Sequence, residues 1–169
     1  MSCAGGPVRL SRMDLEALEE IRRLKHRYLR CVDLKQWDEF AGLFTDGAVA
    51  EYDTPVLGKT LRLEGRDAII DYMRANLGAD KISAHTAGAP EIDIDGDRAT
   101  GVWSLDDTII IPEHKLLIRG AAFYHDVYRR GEDGRWLVEK TGHTRTYEYM
   151  VSLDDVPSLK FTTPVPGSR

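Results

Sequence analysis

Asp107 stands in the run Val102-Trp103-Ser104-Leu105-Asp106-Asp107-Thr108-Ile109-Ile110-Ile111, which has the composition of a strand. Successive strand side chains alternate between faces, so Trp103, Leu105, Asp107 and Ile109 share one face and Ser104, Asp106 and Thr108 take the other. A carboxylate on an apolar face must be paired or hydrogen-bonded. Asp107 is therefore a candidate functional acid, or one half of a structural ion pair, unless a bulge swings it to solvent. His85 follows Ser83-Ala84 and precedes Thr86-Ala87-Gly88-Ala89, small neighbours that leave room around the ring. Histidine carries protons near neutral pH; its other reading is a core histidine bonded to backbone. Asp33 and Asp107 are its candidate carboxylate partners. Tyr28 lies on the apolar stripe of a predicted helix, and Asp33 lies five residues later, about 140° around it. The two converge on one pocket if the helix end bends or the cavity wraps around it. Otherwise Tyr28 is a core tyrosine and Asp33 faces solvent beside Lys35. Arg145 shares the parity of Thr141, His143 and Tyr147. In a strand feeding a cavity it can hold an anionic or carbonyl group; its other reading is a rim salt bridge to Glu148.

Several chemistries lack their residues. The five histidines, at 26, 85, 114, 125 and 143, show no HxH, HExxH or Cys/His spacing, so no zinc site is expected. There is no GxGxxG, no Walker loop and no GxSxG elbow. Cys3 and Cys31 form neither a CxxC nor a disulfide framework, which fits a reducing cytoplasm. No metal and no cofactor are expected. Lys and Arg number 23 against 28 Asp and Glu, a net charge of −5. That balance is wrong for nucleic acid, whose phosphates demand a basic face. Met1 to Leu10 has no apolar h-region, and the apolar runs are as short as Ile109-Ile110-Ile111, so neither a signal peptide nor a membrane span is expected.

The elements that must position these residues are legible as periodicity. At 169 residues, 42% hydrophobic and 30% charged, the chain is one domain with a real core. Residues 1–11 read as a mobile leader and 155–169, with Pro157, Pro164 and Pro166, as an irregular tail; 12–154 is the domain. Residues 12–34 predict a helix whose buried stripe is Leu15, Leu18, Ile21, Leu24, Tyr28, Cys31 and Val32. Trp37 to Phe44 predicts a second helix, ended by Thr45-Asp46-Gly47, and residues 67–77 a third. A strand begins over Val49 to Tyr52. After residue 80 the period becomes alternating, with a hairpin turn at Asp95-Gly96. Strands are predicted over Ala99–Ile111, Leu116–Arg130 and Trp136–Tyr147. Helices first and an antiparallel meander after make an α+β fold, and a curled sheet of this kind leaves a small-molecule cavity.

The stretch Ile21-Arg22-Arg23-Leu24-Lys25-His26-Arg27-Tyr28-Leu29-Arg30-Cys31-Val32-Asp33, with Trp37-Asp38-Glu39 and Leu43-Phe44 after it, resembles the SnoaL-like branch of the nuclear transport factor 2-like superfamily. Pro90-Glu91-Ile92, Ala99-Thr100-Gly101-Val102-Trp103, Gly120-Ala121-Ala122-Phe123-Tyr124 and Gly134-Arg135-Trp136 extend the likeness over about residues 14–150. The resemblance implies a cone-shaped α+β barrel, N-terminal helices packed on a strongly curved, mainly antiparallel sheet enclosing a pocket, and often a homotrimer. Within the branch the chain is most similar to the bile acid 7-alpha-dehydratases, with scytalone dehydratases and lindane dehydrochlorinases more distant. That likeness implies five catalytic positions: Tyr28 and Asp33 in Tyr-Leu-Arg-Cys-Val-Asp, His85 in Ile-Ser-Ala-His, Asp107 in Trp-Ser-Leu-Asp-Asp and Arg145 in Thr-Gly-His-Thr-Arg. Trp103, Leu105, Phe123, His143 and Tyr147 are the expected pocket residues. Thr54 to Leu63 and Pro112-Glu113-His114-Lys115 carry no family pattern and are expected at the pocket mouth.

The expected activity is a cofactor-independent dehydratase acting on a hydrophobic polycyclic substrate, steroid- or polyketide-like, by His/Asp proton transfer. A ketosteroid-type isomerase and a non-catalytic ligand-binding domain are the alternatives. Which aspartate orients His85 stays open in the sequence.

Overall fold

The computed structural model describes residues 12–54 and 58–162; the expected leader at 1–11 and the end of the tail lie outside them. The first helix, α1 (Arg12–Asp33), buries Ala17, Ile21, Leu24, Tyr28, Cys31 and Val32. Leu15 does not join this stripe and is exposed. At 100° per residue it sits about 120° around from Ile21, and Ala17 takes its place. The helix ends in a tight turn: Gln36 N–H donates to the Cys31 carbonyl at 2.8 Å, and Lys35 adopts φ 60. A left-handed residue is the usual device for leaving a helix, though seldom a lysine.

A short α2 (Trp37–Ala41) follows, three residues shorter than its pattern predicts. Leu43 and Phe44 are recruited to strand pairing instead: the Leu43 carbonyl accepts from Val138 N–H, and Phe44 opens β1 (Phe44–Thr54). Next comes β2 (Lys59–Glu64), within the segment expected only to shape the pocket mouth. It pairs antiparallel with β1, and its Leu61 and Leu63 pack on the core while Lys59, Thr60, Arg62 and Glu64 face solvent. That alternation is present in the sequence but covers one short edge strand. The third helix, α3 (Arg66–Asn76), buries Ile69, Ile70 and Met73. The meander then runs through β3 (Ile82–Asp95), β4 (Arg98–Ile111), β5 (Leu116–Arg130) and β6 (Trp136–Ser152).

The sheet order is β2-β1-β6-β5-β4-β3. Every neighbouring pair is antiparallel except β1 and β6, which run parallel. With β2 and β3 left as separate edges, the sheet is curled but not closed. The helices lie on its concave side: α1 packs on β3 and β6, and α3 on β1 and β2. The parallel pairing demands one glycine. A Cβ on Gly142 would collide with the backbone carbonyl of Glu51, its register partner. Among the described residues no helix is long and apolar enough to cross a membrane.

Candidate functional site

Between the concave sheet, α1 and α3 lies a cavity of ≈ 340 Å³. Its wall is mostly apolar: Val32 from α1, Met73 from α3 and Leu77 just after it, Leu105, Ile109 and Ile111 from β4, Ile118 from β5. Besides Asp53 and Asn76, three groups of polar side chains enter it.

The first is His85 on β3. Its Nδ1 lies 2.6 Å from Asp33 Oδ1, and its own backbone N–H donates to Asp33 Oδ2 at 2.8 Å. Ser83 Oγ donates to the same Oδ1 at 2.8 Å and accepts from Lys35 Nζ at 2.8 Å. The choice left open by the sequence thus falls to Asp33. It is the last residue of α1, where the helix end meets β3, and it sits behind the imidazole, outside the cavity lining. A carboxylate held by these donors accepts the Nδ1 proton, which leaves Nε2 with its lone pair for the cavity. Lys35 is half-buried. Burial lowers its pKa, against the pull of Asp33 and Asp80.

The second group is Asp107 with Arg145 and Glu148. Asp107 is opposite His85 in the β3–β4 register, yet its carboxylate turns to β6. Arg145 Nη1 and Nη2 donate to its two oxygens at 2.8 Å each. The two side chains are 5% and 9% exposed, so this is a desolvated, bidentate pair. Burial works against the guanidinium's charge, but the bonds and charge of Asp107, together with Glu148 and Tyr124, outweigh it and raise its pKa. Gly120 makes room for the pair, since a Cβ there would stand 2.7 Å from Arg145 Nη1. Glu148 Oε2 lies 3.3 Å from Arg145 Nε.

The third group is aromatic. The Tyr28 and Tyr52 hydroxyls are 3.0 Å apart, so one donates to the other. Burial raises the pKa of both, keeping them protonated donors. Tyr124 and His143 complete this wall, their rings edge to face at 5.8 Å. Behind Tyr28 and Tyr124, Lys25 Nζ sits 3.2 Å from the Tyr124 ring centre and donates to Asp126 Oδ2 at 2.7 Å. Tyr128 and Thr141 also donate to Asp126, both at 2.7 Å. The ion pair is fully buried and does not line the cavity.

Of the sequence-derived residues, Tyr28, His85, Asp107, Arg145, Leu105 and His143 line the cavity, with Asp33 behind His85. Trp103, Phe123 and Tyr147 do not, and each needs correcting. Trp103 is buried below the cavity, its Nε1 donating to Tyr128 Oη at 2.9 Å. Phe123 is on the convex face of β5, because the inward parity there belongs to Ala122 and Tyr124. Tyr147 is exposed because β6 bulges at Thr146: Ala122 pairs with Arg145, whereas Ala121 pairs with Tyr147. One extra residue flips the parity beyond it, so Glu148 turns inward instead. Tyr52, Asp53 and Tyr124 are contributors the sequence reading did not assign to the site, while Glu148 stood in it only as a rim partner of Arg145, and Lys35 and Ser83 only as neighbours of Asp33 and His85. Parity with Ala122 and Asp126 marks Tyr124; nothing local marks the bulge that brings in Glu148.

This geometry can be set beside known proteins. The profile of the SnoaL-like domain matches residues 13–142. The chain belongs to the SnoaL-like domain family. Solved structures agree on the cone-shaped fold of the nuclear transport factor 2-like superfamily. The hexachlorocyclohexane dehydrochlorinase LinA-type3 from Novosphingobium barchaimii superposes with a TM-score of 0.71 at 19% identity, covering 89% of this chain and 97% of that one. A scytalone dehydratase-like protein from Novosphingobium aromaticivorans gives 0.73 at 16% identity, covering 95% and 99%. The Kfla4162 protein from Kribbella flavida gives 0.70 at 26% identity, covering 80% and 95%. At these identities the likeness establishes the fold of this SnoaL-like protein and leaves its chemistry to the site itself.

Proposed function

We propose that this SnoaL-like protein is a cofactor-independent dehydratase that removes water from a hydrophobic polycyclic substrate carrying a carbonyl group. The observation that carries the reading is the Asp33–His85 contact at 2.6 Å, set in the wall of an apolar cavity that also holds the Tyr28–Tyr52 hydroxyl pair. A carbonyl acidifies the neighbouring or vinylogous C–H, so a positioned imidazole suffices as base. His85 Nε2 takes that proton, and Asp33 steadies the imidazolium, as the orienting acid does in a catalytic triad. Tyr28 or Tyr52 donates a hydrogen bond to the oxygen on which charge develops. The C–O bond of the β-hydroxyl then breaks, the C=C bond forms, and His85 returns its proton to the departing oxygen as water. Nothing is oxidised or reduced, and the enzyme ends in its starting state. Arg145 and Asp107 hold the far wall. Similarity to proteins named as a dehydrochlorinase and a scytalone dehydratase supports elimination as the reaction class, and the five matched positions support the bile acid 7-alpha-dehydratase likeness. We expect a homotrimer on the same family grounds.

The test is mass spectrometry of the protein incubated with hydroxylated 3-oxo steroids and polyketide-like phenols, alongside His85→Ala. Loss of one water that disappears in the variant is the expected result, with a fall in rate of about 10²- to 10⁴-fold. Unchanged mass with an altered retention time, again dependent on His85, would replace elimination by isomerisation.

A further inference from the structure

The charges of the cavity wall do not balance, and the imbalance bears on what can enter. Asp53, Asp107 and Glu148 line it together with a single guanidinium, Arg145. Both Asp107 oxygens are taken by Arg145. Asp53 accepts the Arg145 backbone N–H at 3.2 Å. Glu148 differs. It lies 3.3 Å from Arg145 Nε without making a hydrogen bond, for Arg145 Nε is buried and lacks an acceptor. Glu148 is 16% exposed and carries acceptor capacity that no described donor fills. Lys35 and Lys25, the nearby cations, are tied to Ser83 and Asp126 outside the lining.

From this we infer that the cavity selects uncharged ring compounds bearing a hydroxyl group, with Glu148 accepting the hydroxyl hydrogen bond, and rejects the corresponding carboxylates. The inference rests on the reading of this cavity as the substrate site and adds the charge class of the substrate. An incoming carboxylate meets an excess of like charge in a poorly screened pocket and finds the guanidinium already engaged. A hydroxyl meets an acceptor that is short of a donor. Discrimination thus comes from repulsion as well as attraction. The anion-anchoring role that the sequence alone allowed Arg145 is disfavoured by the same arrangement.

A matched set of probes decides it: naphthalene, 2-naphthol and 2-naphthoate, titrated calorimetrically into the wild type and Glu148→Gln at neutral pH. We expect 2-naphthol to bind more tightly than 2-naphthoate by about ten-fold or more, one carboxylate's worth of repulsion, and more tightly than naphthalene. In Glu148→Gln, which keeps the side-chain shape, 2-naphthoate gains several-fold. Thermal melting checks that the variant is folded. Naphthoate binding as tightly as naphthol overturns the inference and makes Arg145 an anion anchor. Naphthalene equalling naphthol overturns the role of Glu148. Failure of all three probes to bind overturns the inference together with the cavity reading. Selective binding without turnover of any substrate leaves the inference standing and retires the dehydratase reading alone.

Discussion

Asp33 is the residue on which the site turns, because three contacts converge on its carboxylate, from the His85 ring, the His85 amide and Ser83 Oγ, and Lys35 in turn donates to Ser83. Lys35 reaches Ser83 because its φ of 60 folds the chain back at the end of α1. The Lys35–Ser83 bond fixes the Ser83 hydroxyl that donates to Asp33, and so helps hold the carboxylate in place behind the imidazole. Ser83→Ala and Lys35→Met should each lower kcat by about ten-fold with little change in KM, since neither side chain lines the cavity. Lys35→Arg should retain most activity. The proton resonance of His85 Nδ1–H gives a readout independent of turnover: a strongly downfield signal is expected in the wild type, and it should weaken in Ser83→Ala and Lys35→Met and persist in Lys35→Arg. Unaltered resonance and rate in Ser83→Ala would remove Ser83 and Lys35 from the mechanism. Asp107 was legible in the sequence because strand parity alone places it among Trp103, Leu105 and Ile109. Which of the two candidate acids, Asp33 or Asp107, pairs with His85 was not, because that depends on how a helix terminus packs against a strand about fifty residues away, and parity says nothing about that.

At the scale of elements, the chain's periodicities recover the helices and the four-strand meander, because amphipathic stripes and alternation are direct consequences of burying one face. They fail where the sheet departs from regularity. The bulge at Thr146 exchanges Tyr147 for Glu148, and the recruitment of Leu43 and Phe44 into strand pairing shortens α2. The parallel β1–β6 contact is a third such feature. It joins an early strand to the last one within the open sheet, and it places Tyr52 opposite His143 in register. Gly142 permits this approach, since any Cβ would run into the Glu51 backbone. Backbone cannot yield as a side-chain tip can. Gly142→Ala should therefore destabilise the protein by about 3 kcal/mol, the upper end for overpacking. Gly47→Ala, on β1 with nothing near the added methyl, should change stability by about 0.5 kcal/mol or less. Urea unfolding of the two variants compares them directly. Equal midpoints would mean that the β1–β6 contact is looser than described.

Over the whole molecule, helices on one side of a curled sheet produce an interior that is aromatic and apolar but threaded with ionisable groups. Most are compensated: Lys25 with Asp126, Arg145 with Asp107. Removing one partner of such a pair leaves a buried charge, whereas the intact pair adds little net stability. His143 has no such compensation. Its Nε2–H donates to the Asp53 carbonyl at 3.2 Å, its Nδ1 is buried without a partner, and its ring packs on Tyr52 and Tyr124. Burial, then the charge of Arg145, push its pKa from the usual 6.5 down to about 4, against the opposing pull of Asp107 and Asp53. In that window the unfolded chain binds a proton that the folded chain does not. Stability must therefore rise with pH between about 4 and 6.5 and fall as the solution is acidified through it. Between pH 7.5 and pH 5 the linkage amounts to about 2 kcal/mol for this one group. Carboxylates contribute their own acid sensitivity, so the decisive comparison is with His143→Gln, which stays neutral and keeps a donor for the Asp53 carbonyl. Unfolding free energies measured at pH 7.5 and pH 5 should drop by about 2 kcal/mol more in the wild type than in the variant. Parallel losses would mean that His143 takes up its proton within the fold, and that the wall formed by Tyr52, Tyr124 and His143 opens to water.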